Sequence, residues 1–512
     1  MNIKQPPSKQ FFLLIIFLTI TPFILFLGKN SSQIELFTTR FFWSACIYCL
    51  FFLSGATFAI FFSKNFLILV LFLAYLSFLQ FYFLDFHEFL KIYIDRYSGY
   101  YVLFFFIFVS LIAAKSSNLL IFRNFVFIML FLNIIISVIN LIPTMKKSFY
   151  TFFKTNNITD NYSKTKNLIL TKYPNIFYII PDGLASPKIL KNYVDIDFKD
   201  SIKNFEEKDF TIPMHNYSSY NRTDLSLTAL FRMDYPLTEK SFRSDKYPEL
   251  YPAIKEKNFE IVQYLKKYNY KFITFPPMWG GCPSSRDIKC LIPKANSFLE
   301  MFFQDYAVTT FFQSSLIYKI LDFLFFKNKK NMNVSNRNDT IKTALNKMSK
   351  NPEIWAEGGV FTMIHAFIPH IPYREEDCSV ADRYKVPSKA GYKSSVYCTF
   401  NRIHEISDFI IKNYPNATIV VQADHGVYPK INLYKKFAEV PDSFIDHRMG
   451  AFTGVRGCNS NQASKLNQVN IVKYIVECLV SGKSTKQFKS KSYFRFDSAE
   501  KEYFDLFRVY KK

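Results

Sequence analysis

Apolar residues fall along this chain in two regimes. Up to about Ile142 they form long blocks: roughly Phe11–Leu27, Phe41–Phe62, Phe66–Leu84, Tyr100–Ala114 and Leu119–Ile142. A helix needs about 20 consecutive apolar residues to cross a bilayer. Most of these blocks come near that length, and Tyr100–Ala114 is the shortest. The first block has the look of a signal-peptide core. No small-residue cleavage site follows it and further apolar blocks do, so it reads as a retained anchor. After Pro143 the blocks stop, and from about Asn167 short apolar runs alternate with helical stretches.

Those short runs are the expected strands. Asn175-Ile-Phe-Tyr-Ile-Ile180 ends in Pro181-Asp182-Gly183, and Phe361-Thr-Met-Ile-His365 runs on to Pro369-His370. Thr418-Ile-Val-Val-Gln422 ends in Ala423-Asp424-His425-Gly426. Tyr270–Phe275 is a further apparent strand, and Asn401–Lys412 and Val469–Val480 carry helical patterns. Strands alternating with helices predict a mostly parallel sheet covered on both faces. The fold expected is α/β: an N-terminal bundle of about five transmembrane helices, then an α/β/α sandwich. The boundaries expected are a membrane anchor over 1–145, a linker over 146–172 and a catalytic domain over 173–512.

Composition sharpens the membrane reading. Hydrophobic residues make up 49% of the chain and aromatics 19%, with 60 Phe, more than an ordinary soluble enzyme carries. The formal net charge of +23 admits nucleic acid or anionic lipid as a partner. No zinc-finger spacing, RNA-binding signature or groove-binding basic helix is present, so nucleic acid is not expected. A basic surface beside anionic lipid is the simpler reading. A chain rich in Lys, Asn, Ile and Phe throughout accounts for the charge equally well. Charges flanking the apolar blocks are too evenly split to set orientation. An odd number of spans from an inside N-terminus places the remainder outside. Lys146 and Lys147 then sit at the lipid headgroups. Six of the eight cysteines lie in that remainder: Cys282, Cys290, Cys378, Cys398, Cys458 and Cys478. They show no paired CxxC spacing for structural zinc, and six in one domain suit an oxidising compartment. Cys282–Cys290 and Cys378–Cys398 are the sequence-close candidate pairs.

In an open α/β sheet, ligands sit beyond the carboxyl ends of the strands. Three expected strands deliver Asp182, Asp424 with His425, and His370 there. Two carboxylates and an imidazole suit a divalent ion such as zinc or manganese. Taken singly, an Asp-Gly after a strand is more often a turn; the pair points to a site. Thr223, in Thr223-Asp-Leu-Ser226 ahead of an apolar run, reads as a helix cap. A helix N-terminus at that point would also favour an anion.

Four motifs occur in order: Ile-Ile-Pro-Asp182-Gly, Tyr220-Asn-Arg-Thr223-Asp-Leu-Ser226-Leu, Ile364-His365-Ala-Phe-Ile-Pro-His370-Ile-Pro-Tyr373, and Val-Val-Gln-Ala-Asp424-His425-Gly426. In this order the chain resembles the membrane-anchored, sulfatase-like hydrolases and transferases of the alkaline phosphatase superfamily. It is similar to bacterial phosphoethanolamine transferases and lipoteichoic acid synthases. The resemblance runs from Asn175 to about Gly482, and the anchor-then-enzyme layout matches as well.

That resemblance implies Thr223 as nucleophile, with Asp182, Thr223, Asp424 and His425 as metal ligands and His370 against the transferred phosphate. It implies Trp279 and Arg286 in a substrate-facing loop, where loop packing is an equal reading. Arg448 is a candidate for phosphate binding. His365 reads equally as a site residue or a core histidine, and His215 has no role assigned. Asp182 stands where phosphoethanolamine transferases often have Glu. Gly281-Cys282-Pro283-Ser-Ser-Arg286 is a near miss for the sulfatase signature, because Pro follows Cys directly.

The implied function is a metal-dependent transferase. It would move a phosphoethanolamine or phosphoglycerol headgroup from a membrane phospholipid to an envelope glycan or lipid through a phospho-threonine intermediate. A sulfatase-like hydrolase or phosphodiesterase acting on an envelope polymer is the alternative. Either places the chain as a multi-pass protein of the bacterial inner membrane with a periplasmic catalytic domain.

Overall fold

The computed structural model describes Ile135, Ile139 and residues 173–197, 199–235, 260–275, 287–291, 339–371, 373–379, 381, 388–427, 440–482, 488, 490–495 and 507–509. The expected spans, apart from Ile135 and Ile139, lie outside these residues, as do the linker, Trp279, Cys282 and Arg286. Among the described residues no helix is long and apolar enough to cross a membrane. The chain divides into two compact units, one of Met1–Lys166 with Ala295–Lys330 and one of Asn167–Lys294 with Asn331–Lys512.

The second unit is built on a sheet. Its strands are β1 (Ile176–Asp182), β2 (Phe210–Thr211), β3 (Lys271–Phe275), β4 (Ile288–Cys290), β5 (Val360–Pro369), β6 (Thr418–Gln422) and β7 (Thr453–Arg456). They lie in the order β2-β7-β6-β1-β5-β3-β4. β1 pairs in parallel with β5 and β6, and β3 in parallel with β4 and β5. The expected parallel core is therefore present, and β7 adds an antiparallel margin against β6 and β2. A separate ribbon pairs β8 (Tyr493–Arg495) with β9 (Phe507–Val509).

Alternation along β1 divides the core. Phe177 and Ile179 join one buried cluster; Ile176, Tyr178 and Ile180 join another. The first cluster takes in the apolar faces of helices α1 (Pro187–Val194), α2 (Lys199–Glu206), α5 (Thr340–Lys350) and α6 (Lys389–Asn413). The second takes in α3 (Thr223–Arg232), α4 (Glu260–Lys267) and α8 (Ile471–Ser481). Helices on both faces of a largely parallel sheet make the three-layer α/β arrangement. Because β1 and its two neighbours are covered on both sides, their runs are continuously apolar rather than alternating.

Register brings the motif ends together. Ile179 is opposite Val421, and Ile180 is opposite His365. Three residues on from the first pair stand Asp182 and Asp424. A buried polar tie steadies this end: Tyr178 OH donates to Gln422 Oε1 at 2.6 Å, and Gln422 Nε2 donates to Leu466 O at 2.7 Å.

Cys378 is bonded to Cys398 with Cα atoms 5.0 Å apart, and Cys458 to Cys478 at 6.0 Å. Cys290 is disulfide-bonded as well. The Cys458–Cys478 bond spans a sequence separation of 20, a loop whose closure is worth about 3 kcal/mol. Replacing both residues with Ser is expected to lower the Tm by several degrees, read by thermal unfolding with and without reductant. Reductant should then cause a smaller further drop in the variant than in the native chain.

Candidate active site

Three segments converge at the carboxyl edge of β1 and β6. Asp182 closes β1 and is buried, and Asp424 follows β6 and is fully buried. Asp424 Oδ1 accepts from Gly183 N at 2.9 Å and from His425 N at 3.0 Å, which fixes the carboxylate against both strand ends. Asp424 Oδ2 and Asp182 Oδ1 have no hydrogen-bond partner among the described residues. Such orphaned buried oxygens are costly unless a cation or proton meets them.

His425 turns its Nε2 into the same space. That atom lies 3.4 Å from Asp424 Oδ2, 3.6 Å from Asp182 Oδ1 and 3.1 Å from Thr223 Oγ1. On the ring's other side Nδ1 is 2.8 Å from Gly426 O. Gly426 O accepts and the Arg448 guanidinium donates, so the two compete for Nδ1; with Nδ1–H on the carbonyl, Nε2 presents its lone pair to the site. Arg448 is buried on that Nδ1 side, with Nη1 2.9 Å from Nδ1 and donating to Gly426 O at 3.3 Å. The sequence-predicted phosphate ligand thus stands behind His425, away from the Thr223-facing nitrogen.

Thr223 is the first residue of α3, and the N-cap position belongs to Arg222, in extended conformation. The Thr223 hydroxyl is therefore not the cap; it is partly exposed and meets His425. Arg222 is held sideways by Asp224, through Nε to Oδ1 at 3.1 Å and Nη2 to Oδ2 at 3.2 Å. All four sequence-predicted ligands, Asp182, Thr223, Asp424 and His425, meet in one place.

His365 joins them. It lies on β5, buried, with Nε2 3.8 Å from Asp182 Oδ2. Ligand atoms of Asp182, His365 and Asp424 all fall within 4.8 Å of one another. The Ile-His-Ala pattern gave no means of telling a site histidine from a core one; here the ring is buried and lies beside the two carboxylates. His370 lies past the end of β5, half-buried, its Nδ1 2.7 Å from Ile371 O and its ring tilted on Phe367. Here a carbonyl holds Nδ1–H, so Nε2 is the open nitrogen. His447 packs on the Tyr193 ring instead of entering the site.

The charges fit a divalent cation. Burial first, then the neighbouring Asp424 carboxylate, pushes the Asp182 carboxyl well above the usual range. Burial, then the Arg448 guanidinium, holds His425 well below the usual imidazole value. Burial lowers His365 to about 4, and lowers His370 as well. Neutral imidazoles beside two crowded carboxylates make a donor set for zinc or manganese.

Gly426 lets this loop lie flat on α7 (Asp442–Met449): a Cβ there would stand 2.1 Å from His447 O and 2.7 Å from Gly450 O. Both are backbone atoms, so Gly426→Ala must displace the chain next to His425. It is expected to cost about 1–3 kcal/mol or more and to weaken metal binding, read by thermal unfolding and metal titration.

No family model matches the chain, and no curated protein matches it. Among solved structures it is similar to the integral membrane protein lipooligosaccharide phosphoethanolamine transferase A from Neisseria meningitidis. That match has 11% identity and a TM-score of 0.40, over 93% of this chain and 97% of that one. It is similar to the lipoteichoic acid synthase LtaP from Listeria monocytogenes, at 11% identity and a TM-score of 0.39, over 63% of this chain and 77% of that one. It is also similar to an alkaline phosphatase superfamily protein from Vibrio parahaemolyticus, at 12% identity and a TM-score of 0.38, over 64% and 74%. In its ordered motifs the chain resembles the sulfatase-like enzymes of the alkaline phosphatase superfamily, and Asp182, Thr223, Asp424 and His425 from those motifs lie together.

Proposed function

We propose that this chain is a metal-dependent transferase moving a phosphoethanolamine or phosphoglycerol headgroup from a membrane phospholipid to an envelope glycan or lipid. The observation that carries the reading is Thr223 Oγ1, at a helix N-terminus, 3.1 Å from His425 Nε2. Beside it lie two buried carboxylate oxygens without a hydrogen-bond partner among the described residues. Bound by Asp182, Asp424 and His425, a divalent ion supplies positive charge to the phosphoryl oxygens and favours ionisation of the Thr223 hydroxyl.

Thr223 Oγ1 attacks phosphorus, the Oγ–P bond forms and the bond to the diacylglycerol oxygen breaks. The proton lost by Thr223 ends on that leaving oxygen. In the second half the acceptor hydroxyl attacks, the P–Oγ bond breaks, and its proton returns to Thr223. His370, neutral with Nε2 open, is the proton carrier for both halves. The N-terminal dipole of α3 favours the anionic group throughout.

A multi-pass inner-membrane anchor over 1–145, a linker over 146–172 and a periplasmic catalytic domain over 173–512 complete the reading. It is supported by the long apolar blocks and by the disulfides, which suit an oxidising compartment. An anchor keeps the site beside its lipid donor at high effective concentration.

Diacylglycerol release tests the proposal. Full-length protein in detergent is given labelled phosphatidylethanolamine or phosphatidylglycerol with zinc or manganese. Release that needs the metal is expected, and the reactive lipid names the headgroup. With metal bound and neither lipid cleaved, phosphatidylethanolamine and phosphatidylglycerol are excluded as donors. Release to water alone assigns the hydrolase.

A further inference from the structure

Asp446, in the middle of α7, ties together three stretches of chain that each carry a different reacting group. Its Oδ1 accepts from Tyr217 OH and lies 3.3 Å from His215 Nε2, and its Oδ2 lies 3.8 Å from Lys188 Nζ. His215 Nδ1 meets Ser186 Oγ at 2.8 Å. Lys188 and Ser186 belong to the stretch leaving Asp182. His215 and Tyr217 belong to the stretch entering Thr223. Asp446 itself belongs to the stretch on which His425 rests.

Backbone bonds knit the same three stretches. Ser186 N donates to Gly450 O at 3.0 Å, Ser218 N to Met449 O at 2.9 Å, and Gly426 N to Arg448 O at 2.8 Å. Asp446 O closes the helix by accepting from Gly450 N at 2.8 Å. The Asp446 side chain is 22% exposed, and it meets Tyr217, His215 and Lys188, none of them a candidate metal ligand. Ser186 is fully buried, which excludes the Ser186–His215–Asp446 row as a nucleophilic triad of its own.

We infer that Asp446 is a positioning residue. As a shared acceptor, its carboxylate sets the separation of Asp182, Thr223 and His425 and so tunes metal affinity and turnover without touching substrate. The inference rests on the reading of those residues as the metal site. Outer partners of ligating groups typically change metal affinity by about 10–100-fold.

The test uses full-length protein in detergent. Zinc affinity is measured by competition with a chromophoric chelator, and kcat and KM on a soluble aryl phosphodiester. Asp446→Ala is expected to weaken zinc binding by about tenfold or more and to lower kcat, with KM little changed. Asp446→Asn keeps the acceptor oxygen for Tyr217 and His215 and is expected to recover most of both. Tyr217→Phe removes the bond from Tyr217 OH to Asp446, and serves if Asp446→Ala does not fold. Arg402→Ala breaks the Arg402–Asp339 pair, which is far in sequence from the site motifs and joins α6 to the start of α5, and controls for general loss of stability.

Native zinc affinity and kcat in Asp446→Ala would overturn the inference. So would equal losses in Arg402→Ala, or an Asn variant as impaired as the Ala variant. A native protein that binds neither zinc nor manganese overturns the metal-site reading, whereas native metal binding that Asp446→Ala leaves unchanged overturns the role of Asp446 alone.

Discussion

Thr223→Ala is expected to abolish turnover, by roughly 10^4-fold or more, as removal of a covalent nucleophile does in other enzymes. The substitution deletes one oxygen and leaves the rest of the site standing. Asp182, Asp424 and His425 are held by β1, β6 and the Gly426 loop, none of which depends on the Thr223 hydroxyl. The helix start is also spared, since Arg222 is the N-cap and Thr228 Oγ1, Asp224 and Ser226 keep their own bonds. Fold and stability should therefore be near native, and metal binding reduced only by the loss of one ligand. Thr223→Ser, which restores a hydroxyl, should regain part of the rate. Mass spectrometry separates the mechanism from mere substrate positioning. With lipid donor and no acceptor, the native chain should gain the mass of the phospho-headgroup on the peptide bearing Thr223, and the Ala variant should not. An Ala variant that still transfers the headgroup would remove the phospho-threonine step from the reading.

How much of this was legible before the structure depended on how local each feature is. β1, β5 and β6 announce themselves because a strand covered on both faces must be apolar throughout, and Ile-Phe-Tyr-Ile-Ile and Thr-Ile-Val-Val-Gln are. α6 and α8 are long enough to show a helical period, though the first begins at Lys389, well before the stretch Asn401–Lys412 that marks it. β2, with two residues, and β7, as Thr-Gly-Val-Arg, carry no usable pattern, so the antiparallel margin of the sheet was hidden. The ligands share a short-range cue: each acidic residue stands at or just past the end of an apolar strand. His365 and Asp446 have none. The role of His365 depends on β5 pairing with β1, and Asp446 meets Tyr217 across a sequence separation of 229. Contacts of that kind exist only after the three stretches have folded together.

Asp182→Asn is the second large expected effect, and its sign depends on the metal. In the metal-free protein the Asp182 carboxyl is raised by burial and by the Asp424 carboxylate. An acid raised on folding holds a proton that the unfolded chain releases. Its contribution is therefore most favourable below the unfolded value of about 4, and is lost as pH rises through the folded value. His365 and His425 act in the opposite sense: their lowered values cost stability as pH falls below the unfolded imidazole value of about 6.5. The difference between native and Asp182→Asn proteins isolates the carboxylate from these histidines. In chelator near pH 8 the Asn variant is expected to be the more stable, by about 1–3 kcal/mol, because an acid that folding makes harder to ionise has been removed. The gap should close towards pH 4. In metal the order reverses. A ligand at 100 times its Kd stabilises the native fold by about 2.7 kcal/mol, and the Asn variant, short of one anionic ligand, should gain far less and turn over little substrate. Thermal unfolding of both proteins at pH 5, 6.5 and 8, in chelator and in zinc, checks all of this. An Asn variant that is less stable than native in chelator and equally stabilised by zinc would mean that Asp182 is neither a strained carboxylate nor a ligand. The cation site would then have to be rebuilt around Asp424 and His425 alone.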